Sequence, residues 1–259
     1  MGQLHNAGGS QIAWATFEAY FCWEFNFFYW ISLAQNIAFN TCFIHKWSEF
    51  LAGCSILEDL YAHDIEFLTD YESSFYGQEF KSLTLSKLTT ANIAGYHYFP
   101  VNPFSNVKFL GLEIKQVHHD FPSFHNLTQL ELLIELDKSQ LLAEMLKHCP
   151  KLQSLSLQVR EEDWMRGPEN WADPDFVPEC LLLNLKTCSF RYFEDLEVEL
   201  QLARYILKNA RVLQTMKILT GPAISRRQIK MIREKSSSSK LSPSRCQIIA
   251  HPMYSHQRS

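Results

Sequence analysis

One apolar spacing recurs along this chain and constrains its fold more than any other feature. An apolar residue followed by others three and five positions later occurs at Phe80, Leu83 and Leu85, at Val107, Leu110 and Leu112, at Leu127, Leu130 and Leu132, and at Leu152, Leu155 and Leu157. The pattern extends more loosely to Leu57, Leu60 and Ala62, to Leu185, Cys188 and Phe190, and to Leu213, Met216 and Ile218. First positions lie 23, 27, 20, 25, 33 and 28 residues apart. A helix would repeat at three, four and seven, whereas a +3/+5 pair carries the alternation of a short strand entered from a turn.

A longer self-similarity reinforces the first. FLAGCSILEDL (50 to 60), MLKHCPKLQSL (145 to 155) and ILKNARVLQTM (206 to 216) align without a gap. Each places an apolar pair at a helix end, then Gly53, His148 or Asn209, then a small residue (Cys54, Cys149, Ala210), then the strand leucine. Gly and Asn at that position predict a left-handed turn closing the helix. One such helix and strand cannot bury its own apolar face, so neighbours must stack on it. The period and the strand-like triplets predict an α/β leucine-rich-repeat solenoid of short parallel strands and helices, with the C-terminal region continuing the stack.

Composition removes several function classes. With 46% hydrophobic and 20% charged residues the chain can bury a core, and a net charge of −4 gives no electrostatic footprint for nucleic acid. The seven cysteines, at 22, 42, 54, 149, 180, 188 and 246, contain no Cys-x-x-Cys pair and suit buried thiols in a reducing compartment. Asn126-Leu127-Thr128 matches a glycosylation sequon, but no cleavable signal precedes it. Residues 25 to 44 carry no formal charge and approach bilayer length, yet Asn26, Ser32, Gln35, Asn36, Asn40 and Thr41 interrupt them. A buried or capping helix is the preferred reading of that run, ahead of a membrane span.

Catalytic signatures are absent from the sequence: no Gly-rich phosphate loop, dinucleotide fingerprint, nucleophile elbow or His-Glu-x-x-His occurs. His118-His119-Asp120 reads as a solvated loop, because adjacent residues of an extended segment point opposite ways. Glu161-Glu162-Asp163 reads as solvated charge between repeats, and Arg226, Arg227, Lys230, Arg233 and Lys235 as a basic helix face beside the Ser236 to Ser239 run. Cys54 and Cys149 share a repeat position with Ala210, which argues for packing rather than nucleophilic chemistry.

Residues that alternate with the buried triplets should line the open face of the sheet. These are Ser82, Thr84, Phe109, Gly111, Glu113, Gln129, Glu131, Ser154, Ser156, Gln158, Ser189, Arg191 and Lys217. Phe109, Glu113, Glu131, Gln158, Arg191 and Lys217 are the candidate binding residues, Phe109 and Arg191 being types that often carry interface energy.

From residue 46 onward the chain resembles the plant F-box/leucine-rich-repeat proteins that carry a C-terminal FBD domain. LAGCSILEDL (51 to 60) is similar to their Cys-Pro-Val-Leu-Glu-Asp-Leu phrase, with Ser55 where proline is usual. FHNLTQLEL (124 to 132) and LLAEMLKHCPKLQSLSL (141 to 157) fit the repeats that follow. WADPDFVPECLLLNLKTCSFRYFEDLEVELQLARYILKNARVLQTMKI (171 to 218) resembles the FBD signature throughout, and KLSPSRCQIIA (240 to 250) its closing strand. Glu194-Asp195 departs from it, standing where the family usually has a glycine.

The resemblance implies four regions: an atypical aromatic-rich segment (1 to 45), leucine-rich repeats (46 to 160), an FBD domain (161 to 250) and a tail (251 to 259). No Leu-Pro opening or Lys-Arg-Trp phrase of an F-box is found in residues 1 to 45. That segment reads as the remnant of a truncated or rearranged family member, ahead of a helix-like run from Trp14 to Phe43 packed over the first repeat. The implied function is a protein-protein interaction module like the substrate-recognition part of an SCF ubiquitin ligase, without the F-box. The alternatives are a non-functional or dominant-interfering fragment and a membrane-tethered repeat protein. No enzyme activity, cofactor or metal is expected. The expected partner is an unknown protein, with a Skp-type adaptor only if an F-box is supplied elsewhere, no nucleic acid and no membrane, in the cytoplasm or nucleus.

Overall fold

The computed structural model describes residues 3–5, 14–19, 35–43, 51–66, 83–95, 101–114, 121–135, 141–160, 171, 173–194, 196–221 and 246–252. Two compact units divide the chain, Met1–Leu127 and Thr128–Ser259. The first contains β1 (Gln3–His5), β2 (Trp14–Ala19), β3 (Asn36–Phe43), β4 (Asp59–Glu66), β5 (Thr90–Gly95), a 3-10 turn at Asn102–Phe104, and β6 (Phe109–Ile114). These strands pair in sequence order, β1 antiparallel to β2 and the rest parallel.

The second unit runs β7 (Gln129–Glu135), α1 (Leu141–Lys147), β8 (Ser154–Arg160), α2 (Glu179–Leu183), β9 (Thr187–Phe193), α3 (Glu197–Asn209), β10 (Thr215–Thr220) and β11 (Gln247–Pro252). All its strands pair in parallel and in order. Parallel neighbours need a crossover connection, which α1, α2 and α3 supply between β7 and β10. Parallel strands stacked in sequence order, as the spacing predicts, are present in both units, and the described crossover helices that make the repeat α/β lie in the second.

A single backbone arrangement introduces most strands. The first triplet residue donates its N–H to the carbonyl three positions earlier, as in Leu57 to Cys54 (3.2 Å), Leu88 to Leu85 (3.1 Å), Val107 to Phe104 (3.2 Å), Leu152 to Cys149 (3.2 Å) and Leu213 to Ala210 (3.3 Å). The next two N–H groups converge on one carbonyl of the preceding repeat. Thr89 and Thr90 share Glu58 O, Gln153 and Ser154 share Thr128 O, Lys186 and Thr187 share Gln153 O, and Gln214 and Thr215 share Lys186 O. Backbone polar groups at the buried turn are thereby satisfied without side-chain help.

The triplets face the core as expected, with Leu60, Leu110, Leu130, Leu155, Cys188, Met216 and their +5 partners all buried. One register is different. The strand lies at Thr90–Gly95, so Leu88, Ala91 and Ile93 form the buried triplet, and Leu85 occupies the turn position equivalent to Cys54 and Phe104. Leu83 is only half-buried ahead of that turn. The small Ala91 at the middle position hid the true register, while the larger Phe80, Leu83 and Leu85 imitated it.

Two further expectations change. Residues 14–19 and 36–43 are strands in parallel register rather than parts of a helix, and Ile37 is fully buried opposite Leu60. Gly53, His148 and Asn209 do not adopt a left-handed φ. The helices end instead through tight backbone turns, Cys149 N–H to Leu146 O at 3.1 Å and Ala210 N–H to Ile206 O at 2.8 Å. Asn209 adds a side-chain bond from Nδ2 to Tyr205 O at 2.9 Å.

The phrase starting at Trp171 fastens α3. The Trp171 ring packs against Tyr205 with centroids 5.4 Å apart, and its Nε1–H reaches Asp173 Oδ1 at 3.1 Å. The Tyr205 hydroxyl donates to Phe176 O at 3.3 Å, and Lys208 meets Asp173 at 3.3 Å. Behind it, α2 is tied to the preceding repeat by Asn184 Nδ2 donating to Pro150 O at 2.8 Å and by the Cys180 thiol donating to Leu146 O at 3.5 Å. The Trp, Asp, Tyr and Asn of this stretch thus fix the loop and helix that carry β9 and β10.

Candidate interaction surface

The strands of the second unit present rows of side chains opposite to the core. Register aligns Gln129, Ser154, Thr187, Thr215 and Gln247 in one row, and Glu131, Ser156, Ser189, Lys217 and Ile249 in the next. Two residues further along the strands, Leu133 aligns with Gln158, and Arg191 with Leu219 and His251. Alternation makes these positions half-buried or exposed while their neighbours are buried. The rows are mostly small and polar, and the Thr187 hydroxyl donates to the Ser154 hydroxyl at 2.9 Å across β8 and β9.

Of the six candidate binding residues, Glu131, Gln158, Arg191 and Lys217 stand on this face. Arg191 Nη1 reaches back over β8 to Glu131 Oε2 at 3.0 Å, both side chains remaining about two-fifths exposed (38% and 41%). Lys217 is exposed on β10, in register with Ser189 and Ile249. Phe109 and Glu113 belong to β6 of the first unit, both half-buried.

On that unit's open face Thr90 and Asn92 align with Phe109 and Gly111. They replace Thr84, which precedes the strand, and Ser82, which lies outside the described residues. Gly111 is buried because the Asn92 side chain lies over it: a Cβ there would sit 2.6 Å from Asn92 Oδ1.

Tyr192 escaped the sequence reading. Leu219 pairs with Arg191 but Thr220 pairs with Phe193, so Tyr192 is an extra residue in a bulge of β9. Its φ is 52°, in the left-handed region, and its ring is exposed between the face residue Arg191 and the buried Phe193. Bulges re-aim side chains, and a strained non-glycine residue is a pointer to function. Only a departure from strict alternation after Phe190 could have signalled it.

Other chemistry finds little support. Among the described residues no group of three or more His, Cys, Asp or Glu is placed to hold a metal. Burial pushes the Cys54 and Cys180 thiols up to about 12 and raises Cys149 and Cys188 as well, the opposite of thiolate activation. No helix among the described residues is long and apolar enough to cross a membrane. The His118-His119-Asp120 and Glu161-Glu162-Asp163 clusters, and the basic and serine run from 226 to 239, lie outside the described residues.

Comparison with known proteins matches the FBD family model to residues 173–218, the stretch that runs from the Asp173 clamp through α2, β9 and α3 into β10. An F-box/FBD/LRR-repeat protein of Arabidopsis thaliana is 36% identical over 149 residues, covering 54% of this chain and 31% of that protein. A second protein of that description from the same plant is 32% identical over 165 residues, 59% of this chain and 36% of its own length. An FBD-associated F-box protein, also from Arabidopsis thaliana, is 42% identical over 90 residues, 33% of this chain and 22% of its own. The chain spans about a third or less of these relatives. With its repeats stacked in parallel register and the segment after Trp171 pinned by Asp173 and Tyr205, the chain carries an FBD-type segment at residues 173–218 and is similar over about half its length to F-box/FBD/LRR-repeat proteins of Arabidopsis thaliana.

Proposed function

We propose that this chain is a protein-binding module whose open sheet faces hold a partner, in the manner of the substrate-recognition part of an F-box protein. The observation that carries this reading is the rank of small, polar, half-buried side chains on the second unit, from which Arg191, Tyr192 and Lys217 project. Such a floor leaves backbone and anchors accessible to a large flat ligand, whereas small-molecule chemistry calls for a concave pocket with convergent polar groups. On the first unit's own open face the proposed contacts are Phe109 and Glu113, and on the second unit's face Glu131 and Gln158 join Arg191 and Lys217. No catalytic role is part of the proposal.

In the regional plan that accompanies this reading, residues 46 to 160 are the repeats, 161 to 250 the FBD domain, 1 to 45 an atypical leading segment and 251 to 259 a tail. Coupling to a ubiquitin ligase would need an F-box acting with this surface. The test is affinity capture from plant extract with the full chain and its Phe109→Ala, Glu131→Ala, Arg191→Ala triple variant. Partners lost with the variant, at unchanged thermal stability, support the reading, and an unchanged set of partners overturns it. Parallel capture with a purified Skp-type adaptor reports whether this chain reaches a ligase directly.

A further inference from the structure

Charge on the open face of the second unit is unevenly compensated. Glu131 is engaged by Arg191 at 3.0 Å. Glu135 and Arg160 are register partners at the far ends of β7 and β8. Lys217, by contrast, forms no ion pair among the described residues, and its neighbours in register are Ser189 and Ile249. On its own strand Thr215 and Leu219 flank it on the same face. The acid of its own row, Glu131, is three strands away, about 14 Å between backbones, which is beyond pairing distance.

We propose that this face takes an acidic segment of a protein partner, with Lys217 as the carboxylate-binding residue and Glu131 as a built-in competitor for Arg191. Arg191 is in register with Leu219, one strand and two residues from Lys217. A carboxylate docked on Lys217 therefore lies within reach of the Arg191 guanidinium, which can exchange Glu131 for it. Leu219 and Ile249 beside the ammonium shield such a pair from water, which strengthens the attraction. Ser156 and Ser189 leave the floor between the two charged positions low enough for an extended backbone. Among the described residues of this face, one unengaged lysine and one shared arginine are too few to track a phosphate backbone, which favours an acidic protein segment over nucleic acid. The inference rests on the proposed protein-binding role of the same face.

The full chain would be probed with an array of random short peptides sorted by net charge, alongside a single-stranded RNA oligonucleotide. Retention of acidic peptides is expected, declining with added salt. Lys217→Glu should weaken it about three- to tenfold, and Glu131→Gln should strengthen it about two- to fivefold by releasing Arg191. Both positions are solvent-accessible, and unchanged thermal melts would show that the variants fold.

Acidic peptides held equally well by the Lys217→Glu variant, or stronger retention of RNA than of any peptide, would overturn the proposal. Neutral or basic peptides retained through the face, and lost in the Phe109, Glu131, Arg191 triple alanine variant, would overturn the acidic preference alone and leave the binding role standing. No retention of any peptide, or retention indifferent to the triple variant, would remove both.

Discussion

The carboxylate of Glu199, 1% exposed in the first turn of α3, accepts the backbone N–H of Leu196 at 3.0 Å. The same oxygen accepts the N–H of Glu194, also at 3.0 Å, so one side chain closes the tight path from β9 into the helix. Leu196 has no side-chain oxygen to cap the helix itself, and the stabilisation comes wholly from the acid three residues on. Glu199→Ala should lower stability by about 1 to 2 kcal/mol, because two part-buried N–H groups lose their charged acceptor. Glu199→Gln, which keeps a carbonyl oxygen, should cost about half as much in urea denaturation. Equal losses for the two variants would contradict the capping role.

Burial distinguishes two leucines that look alike in the sequence. Leu88 is 2% exposed at the start of the β5 repeat, whereas Leu83 is half-buried ahead of it. Leu88→Ala should cost about 2 to 5 kcal/mol and Leu83→Ala distinctly less. Leu130→Ala and Leu155→Ala should fall in the same range as Leu88→Ala. Denaturant midpoints of the four variants decide the register, and the reverse order for Leu83 and Leu88 would restore the one read from spacing.

Tyr192 allows a comparison that ordinary strand preferences would get backwards. Glycine in a strand is normally less stable than alanine, but at a φ of 52° the Cβ of alanine meets the same strain as tyrosine. Tyr192→Gly should therefore be more stable than Tyr192→Ala by about 1 kcal/mol. Thermal unfolding of the two variants is a direct check. Both should weaken partner capture if the exposed ring is an anchor.

Cys54, Cys149, Cys180 and Cys188 are buried, and Cys246 is half-buried. Under native conditions at neutral pH the four buried thiols should resist alkylation, reacting only after denaturant is added, as read by mass spectrometry of the digested chain. Burial raises their folded pKa values above the ordinary 9.0, to about 12 for Cys54 and Cys180. The unfolded chain loses these protons first as pH rises. Their contribution is thus fully present below about pH 9 and is lost as pH climbs towards 12. Cys→Ser or Cys→Ala variants should flatten the alkaline fall in stability over that window, and an unchanged fall would assign it to other groups.

Much of this arrangement was legible because inside and outside alternate with a fixed period. Leu60, Leu110, Leu130, Leu155 and Met216 point inward where spacing predicted, and Glu131, Gln158 and Lys217 stand on the opposite side. Ala91 defeated the reading because a methyl fills the middle of the β5 triplet, and size-weighted patterns pass over it. The length and lack of charge of the apolar run before residue 44 predict a helix. Residues 36–43 are instead a strand, in which Asn36 and Ile37 are buried and Ala38 is half-buried. The Glu131–Arg191 pair joins residues 60 positions apart, and the Tyr192 bulge depends on how β9 meets β10. Neither is a local property, so neither can be read from local sequence.

The paired N–H groups that converge on one carbonyl at the mouth of a strand give each repeat the same socket for its successor. A complete repeat could be spliced in or out of such a stack without rewiring the others, much as a link is added to a chain. Removing a single residue between Leu152 and Leu155 would be far more damaging. Every later side chain of β8 would change sides, sending leucines to solvent and serines to the core. Tolerance of whole-unit changes, and intolerance of frame slips inside a strand, follow from that geometry.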